Sequence, residues 1–109
     1  MSRDTREWPV FDDLLTGAQT NYVVIAAPGA GYRLVFKRLT VTTTAAAKLT
    51  LAQGSAGSGK TFFNIYAGDN GGMTEVYDDP LGFPENTALT LTTTTGNSAV
   101  CGLYDIEPI

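Results

Sequence analysis

The sequence predicts an all-β domain, a sandwich or barrel of about seven or eight strands. Short runs rich in Val, Ile, Thr, Tyr and Phe recur along the chain, and clusters of Gly, Pro, Asn and Asp separate them. No segment is convincingly helical. A chain of 109 residues holds one core and no second domain.

The first 15 residues differ in character from the rest of the chain. Residues 1–7 are polar and charged, and four large apolar side chains follow them: Trp8, Phe11, Leu14 and Leu15. We expect this segment to be either a first strand or an N-terminal arm. In a strand these four side chains close the core, whereas in an arm they anchor the chain on a neighbouring subunit, where buried aromatic residues dominate interface energy. The sandwich domain is expected over residues 16–109.

The remaining strands follow from the positions of the β-prone runs. They are predicted at residues 22–27, 32–42, 48–53, 62–67, 72–77, 88–92 and 99–106, with turns at 28–31, 68–71 and 96–97 and a loop containing two prolines at 78–86. In the second of these strands Leu34, Phe36 and Arg38 are expected on one face. A bulge is expected to shift the register before Leu39 and Val41.

Two low-complexity stretches lie between or within the predicted strands. The alanines at 45–47 are too few to support a helix, so we expect a hairpin loop there. The threonine-rich tracts at 40–44 and 90–95 fit the solvated faces of strands.

Charge and hydropathy exclude two classes of partner. The net charge is −4 and no Lys/Arg cluster occurs, which removes the main source of non-specific affinity for nucleic acid. The longest apolar run, residues 22–28, is far shorter than the roughly 20 residues of a membrane span. No apolar stretch follows residues 1–7, so no signal peptide is expected and the protein is predicted to be made in a cytoplasm.

Residues 54–61 match the nucleotide-binding pattern G-x-x-x-x-G-K-[ST]. The residues that fit it are Gly54, Gly59, Lys60 and Thr61. That motif needs a helix beginning at the Lys, because the helix N-terminus supplies part of the phosphate site. Strand formers follow here, so we interpret the match as fortuitous and the segment as a hairpin tip, and no nucleotide or other cofactor is expected.

The sequence also offers little catalytic chemistry, and we expect no enzyme. Histidine is absent, so neither a serine triad nor an ordinary zinc site is available. The single cysteine, Cys101, is expected to be a packed small hydrophobe on a buried strand. Four carboxylates lie near one another in sequence, but their spacing matches no calcium loop, and no metal site is predicted. They are Asp69, Glu75, Asp78 and Asp79.

From residue 22 to residue 106 the order of segments resembles small β-sandwich structural proteins of tailed phages and gene transfer agents. Three stretches carry the likeness: the apolar opening at 22–27, the basic and apolar strand at 32–39, and the stretch at 80–91 that leads from Pro80 to a Leu-x-Leu strand. A final strand bearing Tyr104 follows, as in those proteins.

The resemblance implies an antiparallel β-sandwich of jelly-roll type that decorates a phage-like particle as a capsid decoration, cement, head spike or fibre-base protein. It implies a virion location, self-association as a trimer or other ring, and contact with the major capsid protein or neighbouring virion proteins. Two alternatives stay open. One is a tail or spike component that contacts the host through the loops at 54–59 and 68–72. The other is a carbohydrate-binding module in which Tyr66, Tyr77 and Phe83 stack on a sugar.

Overall fold

The computed structural model describes residues 8–54 and 61–109, and the all-β prediction is confirmed. These residues form eight strands: β1 (Val10–Leu15), β2 (Gln19–Ile25), β3 (Tyr32–Thr43), β4 (Ala47–Gln53), β5 (Thr61–Ala67), β6 (Gly72–Gly82), β7 (Leu89–Thr93) and β8 (Ser98–Pro108). No helix in the described part of the chain is long and apolar enough to cross a membrane.

The strands form two four-stranded antiparallel sheets, with the orders β1-β8-β3-β6 and β2-β7-β4-β5. The chain crosses from one sheet to the other at every connection except that between β4 and β5, so strands distant in sequence become neighbours. This order is that of a jelly roll, the two-sheet sandwich that contains two Greek keys. The predicted jelly-roll sandwich is therefore the observed fold.

The core lies between the two sheets and is built from alternate side chains of both. Leu39 and Val41 of β3 face Leu49 and Leu51 of β4, and all four are fully buried. Aromatic rings fill one end of this core. The ring of Phe36 lies with its centroid 4.9 Å from that of Phe83.

Strand β3 contains the predicted bulge, located at Lys37. Its pairing with both β6 and β8 shifts register between Phe36 and Arg38. The extra residue turns Arg38 away from the core while Leu39 returns to it. The expectation that Arg38 shares a face with Phe36 is therefore wrong, because the bulge comes before Arg38.

Strand β6 is longer than predicted, since residues 78–82 belong to it and not to a loop. Its register with β3 jumps from Val76 to Leu81, so Pro80 lies in an unpaired stretch of an edge strand. A proline is tolerated there because no ladder hydrogen bond is lost. Lys37 fills the gap, and its Nζ donates to the carbonyl of Asp78 at 3.0 Å.

The threonine-rich tracts are only partly solvated, which corrects that prediction. Thr43, Thr90 and Thr93 are buried, and each hydroxyl has a backbone partner. Thr93 Oγ1 accepts from the amide of Gln19 at 3.0 Å, and Thr43 Oγ1 donates to the carbonyl of Ala45 at 2.8 Å. Ala45 and Ala46 lie in the β3–β4 connection and Ala47 begins β4. Because β3 and β4 belong to different sheets, this connection is a crossover and not the expected hairpin loop.

Candidate interaction surface

The outer face of the β1-β8-β3-β6 sheet carries aliphatic side chains where a solvated strand face usually carries polar ones. On β1, Val10 is 73% exposed and Leu14 is 82% exposed, and on edge strand β6 Val76 is 64% exposed. Between them β8 presents three half-buried apolar side chains: Ala99, Cys101 and Leu103. We call these six residues the aliphatic face.

The strand register arranges this surface in three rows that cross the sheet. The first row is Val10, Leu103, Arg38 and Val76; the middle row is Asp12, Cys101, Thr40 and Thr74; the third row is Leu14, Ala99, Thr42 and Gly72. In each row β8 lies between β1 and β3, and β6 forms the edge of the sheet beyond β3.

The two threonines of the middle row, on β3 and β6, hydrogen-bond to each other. The hydroxyls of Thr40 and Thr74 lie 2.8 Å apart and share a hydrogen bond across β3 and β6. Because the two hydroxyls already bond to each other, removing water from the middle of the face costs little free energy.

Two charged side chains interrupt the aliphatic face, the exposed Asp12 on β1 and the half-buried Arg38 on β3. The Nε atom of Arg38 is buried and has no hydrogen-bond partner within the described ranges. The other arginine of β3 differs, since Arg33 Nε donates to Glu107 Oε1 at 2.8 Å. A guanidinium held among aliphatic side chains without a carboxylate is unfavourable, so Arg38 lacks the partner that Arg33 has.

The outer face of the other sheet has a different chemistry, and we call it the threonine face. Its groove is lined by Thr20, Asn21, Lys48, Thr50, Thr61, Asn64, Thr92 and Thr94. Thr50 Oγ1 donates to Asn64 Oδ1 at 3.1 Å. The exposed aliphatic side chain on this face is that of Val23, at 51%. The two outer faces of the sandwich are therefore chemically distinct.

The four apolar residues of the amino-terminal segment occupy different environments. Phe11 packs edge-on against Tyr104, with ring centroids 5.7 Å apart, and Leu15 is buried in the core. Leu14 points outward into the aliphatic face, and the half-buried Trp8 precedes β1. A role of these residues in partner binding stays a prediction, and Leu14 is the most exposed of the four described side chains.

The three aromatic residues considered for sugar stacking do not share a surface. Phe83 is 2% exposed and lies in the core, and Tyr77 is half-buried at the edge of that core. Tyr66 is 82% exposed, with Lys48 Nζ 5.6 Å from its ring centroid. A stacking platform made of all three rings is therefore absent from this arrangement.

Of the four residues that fit the nucleotide-binding pattern, the structure describes Gly54 and Thr61. Gly54 follows β4, and Thr61, which would lie in the first turn of the helix of a phosphate loop, is the first residue of β5 here. Gly59 and Lys60 lie outside the described residues, as do the other residues of the expected hairpin tip. Of the proposed host-contacting loops, residues 55–59 are likewise outside them.

The carboxylates considered for calcium do not form a metal cluster. Asp69 Oδ1 accepts from the amide of Ala46 at 2.8 Å, which fixes the β3–β4 connection. Within residues 8–54 and 61–109, no group of three Cys, Asp or Glu side chains is arranged to hold a metal ion. Cys101 lies on a strand as expected, but it is half-buried on the outer face and not in the core.

Sequence reasoning missed the aliphatic face because that surface depends on register. The sequence of β8 indicated this surface, because apolar residues occupy both the odd and the even positions from residue 99 to residue 104, and so both faces of the strand. Such a strand is typically covered on both faces. In this structure one face of β8 is covered by the second sheet, and the other is open among the described residues.

No protein-family model matches the sequence, and no curated protein matches it. Among solved structures, the chain is similar to a chain in the cryo-EM structure of the virus-like particle of extra small virus, from the giant freshwater prawn Macrobrachium rosenbergii. The two chains are 9% identical with a TM-score of 0.46, and the match covers 97% of this chain and 82% of that chain. The strand order of the two sheets, and not this likeness, defines the jelly roll.

Proposed function

We propose that the chain is a non-enzymatic structural protein of a virion, which binds a phage-like particle through the aliphatic face. In this role it decorates or cements the capsid or forms the base of a spike or fibre. The observation that carries the proposal is the cluster of exposed aliphatic side chains on a regular strand face. Apolar patches of this kind on soluble proteins mark interaction sites.

The physical logic suits assembly better than catalysis. A sheet face is rigid, so its side chains are already placed for binding and little conformational entropy is lost on docking. A protein that binds the assembled shell, and not its free subunits, shifts the equilibrium toward the shell. Stabilisation of a particle in this way needs no reacting group.

The test is co-sedimentation of the purified protein with particles that lack it. The variant Leu14→Asp/Val76→Asp places two carboxylates on the aliphatic face at exposed positions, so the fold is retained. Val23→Asp makes the same kind of change on the threonine face and is the matched control. We expect wild type and Val23→Asp to saturate a fixed number of sites per particle, and the double variant to bind at least tenfold more weakly.

Equal binding by all three proteins would contradict the use of the aliphatic face. Failure of the wild type to bind any such particle would overturn the virion role. The exposed Tyr66 beside the groove of the threonine face favours one other candidate, a small carbohydrate-binding module. In that case a glycan screen gives binding that Tyr66→Ala abolishes and Leu14→Asp/Val76→Asp leaves unchanged.

A further inference from the structure

We propose that the threonine face binds an acidic oligosaccharide, in which at least one sugar ring carries a carboxylate. The inference rests on the second candidate of the proposed function, the carbohydrate-binding module, and adds the charge of the ligand and the residues that select it. It does not compete with particle binding, because the threonine face and the aliphatic face belong to different sheets.

The site consists of two adjoining depressions on the β2-β7-β4-β5 sheet. The first is the groove of the threonine face, with a volume of about 480 Å³. The second has a volume of about 550 Å³ and is lined by Ala46, Ala47, Lys48, Tyr66, Ala67 and Thr94. Lys48 and Thr94 line both depressions, so the two are continuous at these residues. Each has the volume of an ordinary small-ligand site, and the pair therefore suits a ligand of more than one ring.

The polar groups of the groove offer mainly hydrogen-bond donors to a ligand. Thr92 Oγ1 accepts from a backbone amide of β2 and Thr94 Oγ1 accepts from a backbone amide of β4, both at 3.0 Å. An amide that donates to a hydroxyl oxygen turns the hydroxyl proton away from itself, and neither proton has an acceptor among the described residues. Asn64 Oδ1 accepts from Thr50, which leaves both protons of the Asn64 amide to a ligand. Such a groove suits a ligand that is rich in acceptor oxygens.

Lys48 adds a positive charge that the groove does not neutralise. Its Nζ lies 5.6 Å from the centroid of the Tyr66 ring, which is a partner for the cation but carries no charge. Lys48 forms no ion pair within residues 8–54 and 61–109, and no described Asp or Glu lines either depression. A half-buried ammonium group in these surroundings favours a carboxylate as its ligand, because a charge-assisted hydrogen bond is the strongest it can form.

The number of charges favours a sugar acid over a polyanion. Lys48 is the one cation among the described residues that line the site, whereas nucleic acid needs many basic contacts. In a sugar acid the carboxylate pairs with Lys48, and the ring and hydroxyl oxygens accept from Thr92, Thr94 and Asn64. The apolar C–H face of a ring packs on Tyr66, which is 82% exposed.

The first test is a glycan array that carries matched neutral and acidic sugars. One pair is galactosides beside the same galactosides capped with sialic acid, and the other is oligogalacturonates beside their methyl esters. We expect the wild type to bind the carboxylated members at least tenfold more strongly than the neutral ones, and salt to reduce that difference. Equal binding of the neutral and acidic sugars would overturn the acidic class, and binding to none of them would overturn the site.

Substitution of Lys48 tests the charge. Lys48→Gln should remove the preference for carboxylated sugars, whereas Lys48→Arg keeps the charge and should keep the preference. The matched control is Lys37→Gln, which removes the same charge from β3 on the other sheet and should bind as the wild type does. A preference that survives in Lys48→Gln would overturn the role of this cation.

Asn64→Asp tests the donors without removing an internal hydrogen bond. The two side chains have the same shape, and the Thr50 hydroxyl can donate to the new carboxylate as it does to the amide oxygen. The change replaces two donors by a negative charge, so acidic sugars should bind at least tenfold more weakly. Asn97→Asp is the control, since Asn97 Oδ1 likewise accepts from an amide, that of Gly17, outside the site. Equal binding by the two variants would overturn the donor argument.

The outcomes separate this inference from the virion role. Lys48→Gln should co-sediment with particles as the wild type does, and Leu14→Asp/Val76→Asp should bind acidic sugars as the wild type does. A wild type that saturates particles but binds no acidic sugar overturns this inference and leaves the virion role intact. A wild type that binds acidic sugars through Lys48 but no particle overturns the virion role and leaves this inference intact.

Discussion

The two outer faces of the sandwich show how one fold carries two surface chemistries. The aliphatic face exposes Val10, Leu14 and Val76, whereas the threonine face exposes hydroxyl and amide groups that partly hydrogen-bond to one another. Valine on the aliphatic face and threonine on the threonine face are both β-branched and suit a strand equally well. The difference therefore reflects not strand formation but what each face contacts.

The comparison also explains why the charged groups differ. The half-buried Lys48 of the threonine face lies over the ring of Tyr66, with its Nζ 5.6 Å from the ring centroid. Arg38 of the aliphatic face is half-buried, and its buried Nε has no hydrogen-bond partner within the described residues. The cation of the threonine face thus has a partner in the same copy, whereas the Nε of Arg38 has none among the described residues.

The largest effect is expected from Gly102→Ala on β8, beneath the aliphatic face. A Cβ at this position would lie 2.0 Å from the carbonyl oxygen of Arg38, at the β3 bulge. The bulge must then open, and we expect a loss of about 3 kcal/mol in the free energy of unfolding, measured by urea denaturation. Gly68→Ala is the control, since nothing lies within 4 Å of its added Cβ. Equal stability of the two variants would show that the bulge is not rigid.

The second prediction concerns a variant that makes the aliphatic face resemble the threonine face. Val10→Thr/Val76→Thr preserves side-chain shape and strand preference but adds two hydroxyls to the aliphatic face. We expect binding to particles to weaken about tenfold, because the hydroxyls lose water without gaining partners. Stability should stay within about 0.5 kcal/mol of wild type, since both sites are exposed. Co-sedimentation with particles that lack the protein measures the first quantity, and unchanged binding would show that the aliphatic character is incidental.

A smaller effect is expected on the threonine face from Thr50→Val. The change removes the hydrogen bond to Asn64 and should lower the unfolding free energy by about 1 kcal/mol. Thr20→Val, at an exposed hydroxyl, is the control and should be close to neutral. Neither variant should alter binding to particles, and a change in that binding would mean that the two faces do not act separately.

The smallest effect concerns pH and reports on β6 beside Val76. Burial, and after it the charge of Glu75, raise the pKa of Tyr77 above its ordinary value of about 10. The unfolded chain therefore releases this proton first, so stability is lost as the pH rises from about 10 toward the higher folded pKa. Tyr77→Phe should reduce the decline in urea midpoint between pH 9 and pH 11, an interval of about one unit on each side. An unchanged decline would assign it to other groups.

Much of the fold could be predicted from local sequence, and the reasons are physical. Alternation at Leu49 and Leu51, Gly/Asn turns and β-branched runs each act over a few residues, so strand positions and the bulge of β3 were accessible. The length of β6 could not be predicted in this way, because a proline such as Pro80 usually indicates a loop. Here Pro80 lies in an unpaired stretch of an edge strand, where a proline is tolerated. The burial of Thr90 and Thr93 was also missed, since it depends on distant backbone partners.

The candidate surface was harder to predict from the sequence than the fold was. Its six apolar residues come from three strands, and β1 and β8 meet only because the jelly roll pairs the two ends of the chain. Leu14 was identified from sequence, but Val10 and Val76 were not. A face formed by strands far apart in sequence becomes visible only when their register is known.

The most direct test of the proposed surface is co-sedimentation with particles that lack the protein, measured for wild type beside Leu14→Asp/Val76→Asp and the control Val23→Asp. If the aliphatic face is the binding surface, wild type and Val23→Asp saturate a fixed number of sites per particle, and the folded double variant binds at least tenfold more weakly. Equal binding by all three proteins, or no binding by the wild type, would contradict this role of the face.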